Sequence, residues 1–161
     1  MSSNTLCNIH IITTPIGTLV ATTDEKAVIS LGFTDEPLKS IPTNNPLLMR
    51  LEQELHEYFE GQRSTFSIPL SPKGTLFQKS VWEILCTIPY GETISYAQEA
   101  KLFGNPKAVR AVANANGRNP IIILIPCHRV IATAGGVGGY SGGIDKKEFL
   151  LNLEKKKIKQ A

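Results

Sequence analysis

The chain reads as an α+β protein, a small antiparallel sheet plus one helix followed by a mostly helical C-terminal part. Three observations predict this. Short strand-like runs broken by turn residues fill residues 8–33. One amphipathic helical pattern follows at 46–61. Beyond residue 74, helix-start signals recur every 10–40 residues or so.

The strand candidates are 8–13, 17–23 and 27–33, separated by Pro15-Ile-Gly17 and Asp24-Glu25. In the helix after Pro46, Leu48, Leu51, Leu55, Tyr58 and Phe59 recur at helical spacing until Gly61 stops it. His56 in that helix reads as a surface histidine between Glu52 and Glu60. Residues 65–69 suggest a fourth strand, and Ser71-Pro-Lys-Gly74 a connection, giving domains at 1–72 and 73–161. Thr75-Leu-Phe-Gln78 and Ser95-Tyr-Ala-Gln98 are capping boxes, in which each side chain satisfies the other residue's backbone N–H. The first opens a helix presenting Phe77, Val81, Trp82 and Leu85, with Cys86 read as an inert core thiol. Asn105-Pro106 starts another helix, and Asp145-Lys-Lys-Glu148 opens the last as a third box.

Composition narrows the function. The 161 residues are 42% hydrophobic and 19% charged, which suits a packed core rather than disorder. No apolar run is long enough to span a membrane, and no signal peptide is evident at the start. The expectation is a soluble intracellular protein. Three scattered cysteines, Cys7, Cys86 and Cys127, fit free thiols in a reducing compartment. Cys7 and His10 have metal-like spacing but few candidates to complete a site, so no metal is expected. Residues 1–70 carry 4 basic and 8 acidic side chains, and residues 71–161 carry 13 and 6. The second half, net +7, is therefore the candidate for an anionic partner, nucleic acid being the commonest.

Two helices over 95–103 and 107–116, joined by Gly104-Asn-Pro106, form a helix-turn-helix pattern. Lys107, Arg110 and Asn114 share one face of the second helix, with Ala108, Ala111 and Ala115 between faces. So many alanines fit a helix lying close against a minor groove, or one packed tightly on its neighbours; the residues alone favour packing.

The segment IPCHRV, residues 125–130, ends an apolar run read as a strand. Three readings compete for Cys127: a structural thiol, a hydrolase nucleophile needing an oxyanion hole, and a group-transfer nucleophile attacking an sp³ carbon. The third requires a lowered thiol pKa, with His128 as base, directly or through water, and a carboxylate orienting it. Spacing does not choose between Glu148 and Glu154. If Cys127 and His128 cooperate, the chain must turn there or a water must bridge them, since neighbours on a strand face opposite ways. Six glycines in 135–143 let backbone close over something flat, with Tyr140 and Ser141 offering hydrogen bonds.

IPCHRV, with Asn119-Pro120 ahead and Tyr140-Ser-Gly-Gly143 behind, resembles the O6-alkylguanine-DNA alkyltransferases, or methylated-DNA–protein-cysteine methyltransferases. The likeness runs through GETISY (91–96), GNPKAVRAV (104–112) and KKEFLLNLE (146–154), essentially all of 75–156. The first half resembles the family's ribonuclease H-like subdomain in size and order of elements. The resemblance implies single-turnover repair of double-stranded DNA. Cys127 would take the alkyl group from a flipped-out O6-alkylguanine, or less well from O4-alkylthymine. It makes His128 the base, through water, and Glu154 its orienting carboxylate, with Asn119 bracing the active-site turn. Tyr96, Val130, Tyr140, Ser141 and Lys147 would hold the base. Arg110 would fill its place in the stack, and Lys107, Ala108, Ala111 and Asn114 would line the minor-groove contact. It further implies a monomer without cofactor, in the cytoplasm (on a nucleoid) or in a nucleus; some relatives bind zinc in the first half, but residues 17–33 here hold no Cys or His, so no zinc is expected. The alternatives are a lesion-binding relative that performs no transfer, and a thiol hydrolase. Ile122 and Gly139 depart from some relatives, and Asn116 is a polar choice near the base pocket, so the preferred adduct stays open.

Overall fold

The structure, a computed structural model, describes residues 8–134 and 136–156. The chain forms two compact units meeting in sequence at Pro72 and Lys73. In the first, β1 (Asn8–Thr14), β2 (Gly17–Thr23) and β3 (Val28–Thr34) make an antiparallel sheet in the order β1-β2-β3. Strand alternation turns His10, Ile12, Leu19, Ala21 and Leu31 inward, and a register shift opposite Thr22 and Thr23 brings Val28 to the same side. Helix α1 (Pro46–Phe59) packs Leu48, Leu51, Leu55 and Tyr58 into the same core. Asn45 caps α1 by accepting from Leu48 N–H, and His10 meets Glu52 of α1 at 2.7 Å. His56 is exposed.

The fourth strand expected over 65–69 does not form. Only one bridge, Val28 to Leu70, joins this stretch to β3, through Val28 N to Pro69 O at 2.9 Å and Ser71 N to Val28 O at 2.8 Å. Pro69 and Pro72 flank the bridge without backbone donors, and the Ser67 N–H is taken by Glu54 at 2.8 Å.

The second unit is mostly helical: α2 (Leu76–Leu85), α3 (Tyr96–Phe103), α4 (Val109–Gly117) and α5 (Ile144–Lys155). The Thr75 and Ser95 capping boxes are both closed in both directions. Helix α3 ends at Gly104, whose φ of 100° is the left-handed conformation that a helix C-terminus favours in glycine. Asn105 then caps a 3-10 turn, Pro106–Ala108, so α4 begins two residues later than its sequence suggests. Val81, Val112 and Ala115 form a small core against Phe77, Phe103 and Ala108, and Trp82 Nε1 donates to Ala115 O at 2.9 Å. Ala115 is thus core, while Lys107, Arg110, Ala111 and Asn114 are exposed.

Three further expectations are corrected. Cys86 is exposed, because α2 ends at Leu85 and one further residue rotates off the buried face. The last helix starts at Ile144 after Gly143 with no side-chain cap, so Asp145 serves in the first turn as a charge on the helix dipole rather than as a cap. The run 121–125 is a buried turn, not a strand, since the apolar pattern alone does not separate these. Cys7 and Gly135, which entered the metal and glycine-loop readings, lie outside the described residues.

Gly74 sits against Trp82: a Cβ there would lie 2.5 Å from the ring's Cη2. Trp82 is buried and anchored, so it has little freedom to move aside. Gly74→Ala is therefore expected to destabilise the fold by about 1–3 kcal/mol, measured as a lower urea midpoint at unchanged slope.

Candidate active site

Local turn chemistry delivers Cys127 to its neighbours. Asn119 accepts from Ile121 N–H at 2.9 Å and donates to Ile125 O at 2.7 Å, closing the apolar turn with one amide. Ile123 takes a φ of 71°, costly for a β-branched residue and held by that closure. The chain leaves through Pro126 into a 3-10 turn, Cys127–Arg129, so Cys127 and His128 do not alternate as on a strand. Val130 and Ile131 (β5) then pair in parallel with Ile94 and Ser95 (β4). That pairing fixes Tyr96, the first residue of α3, close to the cysteine turn.

Helix α5 reaches the same place. Glu154 Oε2 lies 2.7 Å from His128 Nε2, and Glu154 also takes a fork from Arg129, Nε to Oε1 at 2.7 Å and Nη2 to Oε2 at 3.0 Å. Arg129 Nη1 donates to Ile88 O at 2.7 Å. Burial pushes the Glu154 carboxyl up, but hydrogen bonds from His128 and Arg129 outweigh it and hold it at about 2. Burial holds His128 below the usual imidazole range against the pull of Glu154. A neutral His128 therefore donates from Nε2 to the carboxylate. Its Nδ1, buried and without a partner among the described residues, keeps a lone pair for a proton.

The Cys127 thiol is 6% exposed, and burial raises its pKa against the lowering effects of Asn119 and Lys147. This corrects the expectation of a lowered pKa: the resting group is a thiol. Lys147 is fully buried, with Nζ donating to Val130 O at 2.6 Å and Gly139 O at 3.0 Å, and lies 5.7 Å from the Tyr96 ring centre. Burial brings its pKa down to about 8, against the charges of Cys127 and Glu99. Gly138, at φ 81°, passes so close that a Cβ would meet the Tyr96 hydroxyl at 3.0 Å.

A cavity of about 480 Å³ opens onto Cys127, walled by Tyr96, Asn116, Gly139, Tyr140 and Ser141 among others. The structure thus brings together Cys127, His128, Glu154, Asn119, Tyr96, Val130, Tyr140, Ser141 and Lys147. Arg110, Lys107, Ala111 and Asn114 are on the exposed side of the helix-turn-helix, whereas Ala108 is half-buried against Val81 and Val112. Glu148 is exposed and outside this cluster.

Two residues were not anticipated. Arg129 stands within the conspicuous motif, yet nothing in its spacing marked it as the partner of Glu154. Glu99 is fully buried on α3 and accepts from Asn116 Nδ2 at 2.7 Å. An acid on the same helical face as Ala100 and Phe103 was the available signal. Burial drives its pKa up to about 7, against the lowering effects of Asn116 and Lys147. Among the described residues no cluster of three His, Cys, Asp or Glu side chains is arranged to hold a metal ion, and no helix is long and apolar enough to cross a membrane.

Comparison with known proteins places this geometry in context. Residues 76–156 match the model for the 6-O-methylguanine DNA methyltransferase DNA binding domain, and residues 9–72 that for the ribonuclease-like domain. A methylated-DNA–protein-cysteine methyltransferase of Methanosarcina mazei is 48% identical over 155 residues, 93% of this chain and 98% of that protein. The constitutive Bacillus subtilis protein of the same name is 45% identical over 156 residues, 91% and 94%. A crystal structure of Mycobacterium tuberculosis OGT in complex with DNA superposes with a TM-score of 0.82 at 40% identity, covering 91% of this chain and 92% of that one.

The two carboxylates have opposite pH signatures. Glu99 is raised from 4.5 to about 7, so its stability contribution is full below pH 4.5 and lost as pH rises through 7. Glu99→Gln is expected to be more stable than the parent at pH 8, by up to about 3 kcal/mol, with the gap closing below pH 4.5. Glu154 is lowered to about 2, so Glu154→Gln is expected to be less stable at pH 7, with a gap that shrinks from pH 4.5 down through 2. Thermal melts across that range check both signs.

Proposed function

The chain belongs to the 6-O-methylguanine DNA methyltransferase family, and from that premise we propose that it repairs duplex DNA by moving the alkyl group of O6-alkylguanine onto its own Cys127. The observation that best supports this is His128, next in the chain to the buried Cys127 that walls the cavity, anchored by Glu154 at 2.7 Å and with no partner for its Nδ1 among the described residues. In the proposed reaction His128, through water, takes the Cys127 proton. The sulfur attacks the alkyl carbon as the bond from that carbon to O6 breaks. The departing guanine regains a proton, so the net change is thiol plus alkylguanine to thioether plus guanine. An sp³ carbon needs no oxyanion hole, and none is required of the surrounding backbone. Buried Lys147 favours the developing thiolate by its charge. A thioether has no leaving group to restore the thiol, so each molecule acts once, without a cofactor.

A base inside a duplex is out of reach of a thiol on a cavity floor, so the lesion must leave the stack. The exposed face of α4 suits the minor groove. Alanine at 111 allows close approach, Lys107 meets phosphate, and Arg110 occupies the gap the base leaves. Tyr96 and Tyr140 then wall the base, with Ser141 and the backbone of Val130 at its edge. The protein acts as a monomer, in the compartment that holds the DNA. O4-alkylthymine is the lesser substrate.

Incubation with a duplex carrying one O6-methylguanine is expected to add one methylene mass to the Cys127 peptide, saturating at one per protein. Cys127→Ser should bind that duplex and gain no mass; mass gain by that variant, or binding without transfer by the parent, refutes the assignment. Arg110→Ala should slow repair of the duplex at least about tenfold more than reaction with free O6-benzylguanine, in single-turnover assays. Duplex affinity should fall steeply with added salt as phosphate contacts release counterions, which a titration from 50 to 200 mM reads directly.

A further inference from the structure

The proposed reaction makes no use of Glu99 and Asn116, yet both are buried beside its centre. Asn116 is 6% exposed and forms part of the cavity wall with Tyr96, Cys127 and Tyr140. Its Nδ2 donates to Glu99 Oε1 at 2.7 Å. The Asn116 Oδ1 is then turned away from the carboxylate, buried, and without a hydrogen-bond partner among the described residues. The hydroxyl of Tyr140, on the same wall, is also buried and unpaired. An unpaired buried polar group is costly, and two of them on residues that wall one cavity point to a bound group that satisfies them as it seats against that wall.

We propose that Asn116, held in one amide orientation by Glu99, is a specificity-determining hydrogen-bond acceptor that reads an N–H or O–H donor on the bound lesion. The inference rests on the alkyl-transfer reading of the same cavity. The structure shows that orientation directly: the Asn116 NH₂ donates to Glu99 Oε1 at 2.7 Å, a bond that a carboxyl oxygen accepts whether or not the group is protonated, and the amide oxygen faces elsewhere. An O6-alkylguanine carries a donor at its 2-amino group, and an adduct such as 2-hydroxyethyl carries a second at its hydroxyl. A cavity with an acceptor committed to that donor disfavours an analogue lacking it, because the acceptor stays buried and unpaired. Glu99 is a positioning residue here, acting through Asn116.

Single-turnover transfer rates on duplexes carrying one lesion each test this. The first pair is O6-methylguanine against O6-methylhypoxanthine, which lacks the 2-amino group. The second is O6-(2-hydroxyethyl)guanine against the isosteric O6-propylguanine. The parent protein should prefer the donor-bearing member of at least one pair by about tenfold. Asn116→Leu and Glu99→Leu should collapse that preference, while Glu99→Gln, whose amide oxygen still accepts from Asn116, should keep it. The pair that collapses identifies the donor. A purely packing role would lower all four rates together and leave the ratios unchanged, which would overturn the proposal. Absence of any preference in the parent would do so without a variant, should the leucine variants fail to fold. Failure of Cys127 to gain mass from any lesion would instead sink the alkyl-transfer reading itself.

Discussion

Glu154 carries three obligations at once, and the arrangement of the second unit follows from them. Its carboxylate receives the Arg129 fork and the His128 ring, and it lies 3.3 Å from Gly91 N. Arg129 and His128 come from one turn, Glu154 from the C-terminal part of α5, and Gly91 from the loop before β4. A buried ion pair of this kind contributes little net stability, because desolvating both ions cancels much of their attraction. What it does is penalise every alternative. Losing Glu154 strands a guanidinium in the interior, and misplacing α5 separates His128 from its acceptor. The pair therefore specifies the position of the histidine ring more than it strengthens the fold.

The cysteine is positioned by a different means, local backbone closure. Asn119 satisfies two buried backbone groups at opposite ends of the 121–125 turn, which lets five apolar residues coil without a sheet. The left-handed Ile123 is the cost of so tight a turn, and the surrounding burial holds it. The parallel β4–β5 pairing is only two residues long, yet it brings the start of α3, with Tyr96, beside the turn. Tyr96, Cys127 and Lys147 meet because a strand pair, a turn and a helix converge. No single element holds two of them.

Much of this was legible in the sequence where local chemistry decides structure. The capping boxes at Thr75 and Ser95 and the glycine at 104 act within four residues, and they appear where the residues place them. The helix of 46–61 was legible from spacing alone. Cys86, the Asp145 box and the start of α4 were misread at helix ends, by one or two residues; the larger errors fall where a distant partner decides. Residues 65–69 have strand-like composition, but prolines and Glu54 take away the bonds a strand would use. The run before Cys127 is apolar enough for a strand, and only the reach of the Asn119 side chain makes it a turn. Arg129 with Glu154 is a contact across 25 residues, and Glu99 with Asn116 one across 17. One sequence carries no marker for either pairing.

The direction of the Cys127 shift has a consequence for chemistry. A thiolate poised at rest would react with oxidants and with any electrophile small enough to enter. Burial instead keeps the group as a thiol, with Lys147 and a neutral His128 at hand to favour ionisation when the proton has somewhere to go. If each molecule acts once, as proposed, each stray alkylation or oxidation removes one molecule from service. A raised pKa and a closed environment lower that loss, at the expense of intrinsic reactivity. In the proposed reaction, a bound group that fills the cavity and excludes water would strengthen the Lys147 and His128 interactions in the drier site and so recover that reactivity. On that reading the buried thiol, the unprotonated histidine and the caged lysine act together, and their joint effect on the thiol is greatest when the cavity is filled.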